Sequence, residues 1–176
     1  MGWGAYGKIP ALGDFVRVDL APAFVTPWDR WLQEGIAGAR RSLGSGFAPR
    51  YNRAPVWRFA LAPGVAGPMG AAGVVMPSVD RVGRAFPLTL AALAPGLPPD
   101  PEGAEALAEA DEAALAMLDP GAGRDALRAA LAALAPPEGR AAPPGATFWM
   151  PGRRIEAPLL RPALVTDLLL DHAETA

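Results

Sequence analysis

The chain contains no cysteine, a single histidine (His172) and a single lysine (Lys8). Without cysteine there is no disulfide and no thiol nucleophile, which fits a reducing compartment. With one histidine, a multi-histidine metal site cannot be assembled within one chain, and a serine–histidine–carboxylate triad has little to draw on. Carboxylates could bind a metal alone, but no Asp-x-Asp or Asp-x-Asn loop spacing is present. A strong charge is also missing. The formal net charge is -2 and the sequence pI about 5.4, so no global basic field favours nucleic acid. No apolar run approaches the ~20 residues of a membrane span. Gly4, Gly7, Lys8 and Pro10 interrupt any basic-then-apolar leader at the start. The expectation is a cytoplasmic chain without membrane insertion, metal or cofactor.

What is present is alanine, glycine, proline and arginine in abundance, arranged in alternating strand and helix signals. At 176 residues the chain is read as one domain, residues 1–176, since domains commonly hold ~100–200 residues. Trp3 to Ile9 reads as a strand stopped by Pro10. Thr26-Pro27 reads as a helix start, with Trp28, Trp31, Leu32 and Ile36 forming one apolar stripe. Val56 to Leu61 alternates Trp57, Phe59 and Leu61 against Arg58, the pattern of a strand. Ala72 to Met76 and Pro87 to Leu93 read as two more strands. Helices are expected over Glu102 to Leu118, Arg124 to Leu134 and Ala163 to Leu170, and a strand over Thr147 to Met150. Interleaved strands and helices indicate an α/β class: one layered domain with a central sheet flanked by helices. Trp28, Trp31 and Trp57 are expected in the core.

Gly2 to Gly7 has dinucleotide-fingerprint spacing, and Gly2 to Lys8 almost matches a phosphate-binding loop. Either motif must follow a strand and open a helix, whose N-terminus meets the phosphate. Only Met1 precedes Gly2, and Pro10 and Gly13 interrupt any helix after it. Nucleotide binding is therefore not expected. The strongest polar set is Asp14, Asp80, Arg81 and Arg84. Asp80 can pair with an arginine and tie down its connection, with Gly83 supplying an unusual backbone angle. The same connection can offer a charged contact surface on a rigid scaffold. Arg58 is either exposed or crosses to the Asp80 connection. The acidic face of Glu102 to Glu112 reads as solvated, and Arg40 and Arg41 suit a helix C-terminus.

Four runs carry a family resemblance: Gly7-Lys8-x-Pro10-x-x-Gly13-Asp14-Phe15, Pro27-Trp28-Asp29-x-Trp31-Leu32, Pro55-Val56-Trp57-Arg58-Phe59, and Ser78-Val79-Asp80-Arg81-Val82-Gly83-Arg84-x-Phe86-Pro87-Leu88-Thr89. Together they resemble the TagF (ImpM-like) family of type VI secretion-associated proteins, mainly over the first half of the chain. The resemblance implies a non-enzymatic, post-translational repressor that binds a cytoplasmic scaffold bearing a forkhead-associated domain. Asp14, Phe15, Asp80, Arg81 and Arg84 are the expected partner contacts, and no catalytic residue is assigned. The alternative is a small hydrolase or ligand-binding domain, which requires Asp14, Asp80, Arg81 and Arg84 to converge on a pocket. A third reading is a structural subunit of the secretion apparatus. Oligomeric state is not legible.

Overall fold

The computed structural model describes residues 2–94, 105–135, 137 and 144–170. Its centre is a seven-stranded sheet in the order β2-β1-β5-β4-β3-β6-β7, every neighbouring pair antiparallel. The strands are β1 (Trp3–Gly7), β2 (Val16–Val18), β3 (Trp57–Leu61), β4 (Gly70–Met76), β5 (Leu88–Ala94), β6 (Ala146–Met150) and β7 (Arg153–Ala157). Helices α1 (Pro22–Leu43), α2 (Phe47–Tyr51) and α5 (Pro162–Leu169) contribute to the core on one face. Helices α3 (Glu105–Ala116) and α4 (Arg124–Ala133) cover the other. The expected α/β class, a sheet flanked by helices, is the one observed.

Two unlike cores result. On the α1 face, Phe24, Trp28, Trp31, Phe59 and Phe148 form a chain of ring contacts with centroids 4.7–6.1 Å apart. On the α3 face, alanines and aliphatic residues dominate: Ala5, Leu90, Ala92, Leu107, Ala110, Ala114 and Leu127. The two-residue period of the strands sorts the side chains. In β3, Trp57, Phe59 and Leu61 all join the aromatic side, as their alternation requires. Burying an indole leaves a donor to satisfy. Nε1 of Trp28 donates to Thr89 Oγ1 (2.9 Å), of Trp31 to the Arg161 carbonyl (2.9 Å), of Trp57 to the Leu168 carbonyl (2.6 Å) and of Trp3 to the Ala135 carbonyl (2.7 Å). The first three tie the sheet, α1 and the α5 segment together. Gly35 allows α5 its close approach: a Cβ there would lie 2.3 Å from Val165 Cγ2.

Helix α1 starts at Pro22, five residues before Pro27, the expected first helical residue after a Thr26 cap. Pro22 occupies the first turn, where its missing N–H costs nothing, and Phe24 and Val25 extend the buried stripe. Pro27 therefore lies inside the helix, where it cannot donate to the Ala23 carbonyl. That carbonyl instead abuts Gly67, whose Cβ, were there one, would sit 2.6 Å away. Strands β2 and β7 and helix α2 are additions to the sequence reading. The sequence-expected start of α3 at Glu102, and His172, lie outside the described residues.

Candidate partner-binding site

The connection between β4 and β5 is closed around one carboxylate. Asp80 is 1% exposed. Its Oδ1 accepts from the backbone N–H of Val82 (3.1 Å) and of Arg84 (2.9 Å). Its Oδ2 accepts from Lys8 Nζ (3.0 Å) and Arg84 Nε (2.7 Å). The main chain closes the same turn: the Asp80 N–H donates to the Arg84 carbonyl (3.1 Å), and the Gly83 N–H to the Asp80 carbonyl (2.9 Å). Gly83 sits at φ 83°, a left-handed conformation that other residues adopt only with strain. Burial alone would raise the Asp80 carboxyl pKa. The donated hydrogen bonds from Arg84, Lys8 and Val82 outweigh it and hold the group well below the usual carboxylate range.

The turn is also anchored from outside. Arg84 Nη2 donates to the Gly13 carbonyl (2.8 Å), and the Arg81 N–H to the Leu12 carbonyl (2.8 Å), so the segment after β1 is strapped to it. At its base, Tyr51 Oη donates to the Ser78 carbonyl (3.0 Å) and accepts from the Ser78 N–H (3.1 Å). Phe15 is held by rings: it stacks on Tyr6 (5.7 Å) and meets Phe86 edge-on (4.8 Å), with Lys8 Nζ 5.1 Å from its centroid. Tyr6 is fixed in turn by donating to Asp29 Oδ1 (2.5 Å). Its burial, and then that hydrogen bond, push its hydroxyl pKa upward.

The five expected contact residues thus fall into two groups. Phe15, Arg81 and Arg84 are exposed at least in part around the turn, Arg84 with 64% of its side chain accessible although one nitrogen holds Asp80. Asp14 is exposed too, its Oδ1 accepting from the Phe15 N–H (2.7 Å). Asp80 is enclosed and positions the others. Lys8 lies in the first of the family-like runs, but nothing in the sequence marks it as the partner of Asp80. Val82, at the apex of the turn, is 71% exposed; it lies in a family-like run but is not among the expected contacts.

Asp14, Asp80, Arg81 and Arg84 do not converge on a described cavity. The groove beside the turn, about 610 Å³, is lined by Asn52, Val56, Met76, Ser78, Leu115 and Leu118 among others, with no titratable side chain. A second hollow, about 510 Å³ at the β6–β7 turn, holds Arg58, Trp149, Arg153 and Arg154. Arg58 does not reach the Asp80 turn. It crosses to α3, its Nε and Nη2 donating to Asp111 Oδ2 (2.9 and 2.6 Å). Part of the acidic α3 face is therefore a half-buried ion pair rather than solvated surface. Among the described residues, no group of three or more His, Cys, Asp or Glu could hold a metal ion, and no helix is long and apolar enough to cross a membrane.

The fold has a counterpart among solved structures. No curated protein sequence matches the chain significantly. The crystal structure of PA0076 from Pseudomonas aeruginosa PAO1 is similar with a TM-score of 0.83 and 30% identity, over 99% of this chain and 96% of that one. The family described as TagF N-terminal domain, type VI secretion system-associated, matches residues 4–134, a span that includes β1 from Gly4, α1, β3 and the whole Asp80 connection. The chain belongs to the TagF N-terminal domain family, and its association is with the type VI secretion system.

Proposed function

We propose that the protein is a non-enzymatic, post-translational repressor of type VI secretion that acts in the cytoplasm by binding a scaffold with a forkhead-associated domain. The observation that carries this reading is the state of Asp80. Both of its oxygens are occupied by donors from its own chain, which closes the turn and leaves no Asp80 oxygen free for chemistry. A loop fixed in this way suits recognition, because little conformational freedom is lost on binding. Asp14, Phe15, Arg81 and Arg84 form the contact surface, and Asp80 holds them in place.

The test is binding of the purified scaffold to wild type and to Asp80→Ala/Arg84→Ala, with folding of the variant checked by circular dichroism. Binding by wild type and loss in the folded variant supports repression through this turn. Equal binding by both moves the interface elsewhere. No binding to wild type removes this partner, and stable co-purification with assembled secretion machinery would instead favour a structural subunit.

A further inference from the structure

Among the described residues, the sheet ends on either side in a strand with one neighbour: β2, of three residues, and β7, of five. A free edge presents unpaired backbone N–H and C=O groups and is a template for another strand. Which groups β7 presents follows from the ladder. The Ala62 N–H donates to the Gly145 carbonyl (2.8 Å), and the same register sets Ala60 opposite Thr147 and Arg58 opposite Trp149. Bonded positions alternate along an antiparallel pair. Gly145, Thr147 and Trp149 therefore turn their backbone groups to β3, and Ala146, Phe148 and Met150 turn theirs to β7. The partners of these three are Ala157, Ile155 and Arg153. Arg154 and Glu156 are left with their backbone groups directed at the open edge.

The side chains of these two residues are exposed, opposite in charge and paired with each other, Arg154 Nη2 lying 2.7 Å from Glu156 Oε1. Ile155, between them, is half-buried on the other face, against the aromatic core. Two copies of one strand meet antiparallel about a two-fold axis. With outward-directed positions facing each other, that axis can pass through Arg154, Ile155 or Glu156. Centred on Arg154 or on Glu156, the residue meets its own like charge, which is unfavourable directly across a ladder. Centred on Ile155, Arg154 of each copy faces Glu156 of the other. The ion pair within each strand is then exchanged for two across the edge, and Ile155 meets its counterpart at a position without ladder bonds, where side chains lie closest. We infer that β7 is a self-pairing edge: two copies of this chain join antiparallel about Ile155, with reciprocal Arg154–Glu156 ion pairs, and the sheet runs on from one copy into the other. The charge order that fits the strand to itself also rejects its slipped registers. Strand β2 has no such fit, since a two-fold axis through its centre sets Arg17 against itself. Self-pairing through β7 uses none of the residues of the Asp80 turn, so it and scaffold binding succeed or fail separately.

The test is sedimentation of the full chain from micromolar to millimolar concentration. Wild type is expected to form a dimer that grows with concentration. Arg154→Glu and Glu156→Arg each set like charges opposite one another in the selected register, and each should raise the dissociation constant about tenfold or more. Mixing the two variants should restore pairing, because arginine then faces glutamate at both positions; a folding defect in either variant could not produce that recovery. The chain has no cysteine, so Ile155→Cys places one thiol per copy at the axis. Oxidation should link it into a disulfide dimer, since directly opposed residues of this kind lie within disulfide reach. Ser42→Cys, exposed on α1, should stay monomeric under the same oxidation. A monomer at every concentration, a dimer indifferent to both charge variants, no recovery in the mixture, or equal cross-linking through Ser42→Cys would overturn the self-pairing edge.

Discussion

Two aspartates of this protein face arginines and behave in opposite ways. Asp80 is enclosed, yet its carboxyl pKa is held low; Asp111 is only half-buried, yet its pKa is raised. Depth alone would order them the other way, since removal from water disfavours the charged form. Donor geometry decides. Asp80 receives two backbone N–H groups on one oxygen, and a lysine and an arginine on the other. At Asp111, Arg58 aims two of its nitrogens, Nε and Nη2, at Oδ2, and the buried Oδ1 has no partner. Burial is the first cause of the Asp111 shift, and the hydrogen bond and charge of Arg58 only partly oppose it. At Asp80 both oxygens are answered by donors; at Asp111 only one is.

The sharpest break of the comparison is at Asp80. Asp80→Asn keeps the shape but leaves the Lys8 ammonium, 7% exposed as a residue, without a counter-charge. Removing one partner of a buried pair is far worse than replacing both, because the surviving charge stays desolvated. The variant should lose more thermal and urea stability than any substitution at Arg58 or Asp111. Lys8→Met added to Asp80→Asn should recover part of that loss. A single variant as stable as wild type would show that Lys8 reaches solvent and that the network is not what holds the turn.

The second break is smaller. Arg58→Met leaves Asp111 half-buried and unpaired, and should cost about 1–2 kcal/mol in urea titration. Arg58→Met with Asp111→Leu replaces both partners by apolar groups on a face already rich in alanine and leucine. The double variant should lie within about 1 kcal/mol of wild type. A double variant worse than the single would mean that the pair fixes the position of α3 against β3 rather than merely tolerating it.

How much of this could be read from the sequence depends on the range of each interaction. The stripe Trp28, Trp31, Leu32, Ile36 and the alternation Trp57, Phe59, Leu61 are local periodicities, so both the elements and their buried faces could be read directly. Strand β2 has only three residues, too few for a period to declare itself, and β7 is an edge strand whose Arg154 and Glu156 look like loop charge. The pairing of an arginine with Asp80 was foreseeable because Arg84 lies four residues on. The Lys8 contact spans 72 residues. It requires β1 to lie beside β5, a sheet order that no local pattern contains. Asp111 was unreadable for another reason: on α3 it sits between Glu109 and Glu112, and only the crossing of Arg58 from β3 distinguishes it from its solvated neighbours. At the turn, the charged residues could be named as a set, but which one was enclosed and which exposed followed from the fold alone.

The finest test of the comparison is pH. A carboxyl whose folded pKa is lowered contributes stability above its unfolded value, and that contribution is lost as pH falls through the folded one. Asp80 is of this kind. One whose folded pKa is raised contributes below its unfolded value, and loses that contribution as pH rises through the folded one; Asp111 is of this kind. The stability gap between wild type and Asp80→Asn should therefore narrow on acidification from about pH 7 to pH 3. The gap between wild type and Asp111→Asn should move the other way, with the variant faring relatively better at neutral pH and staying within about 1 kcal/mol throughout. Urea titrations across that range measure both. Parallel curves for the two variants would mean that the unanswered Oδ1 finds a water, and that the two sites differ in depth rather than in kind.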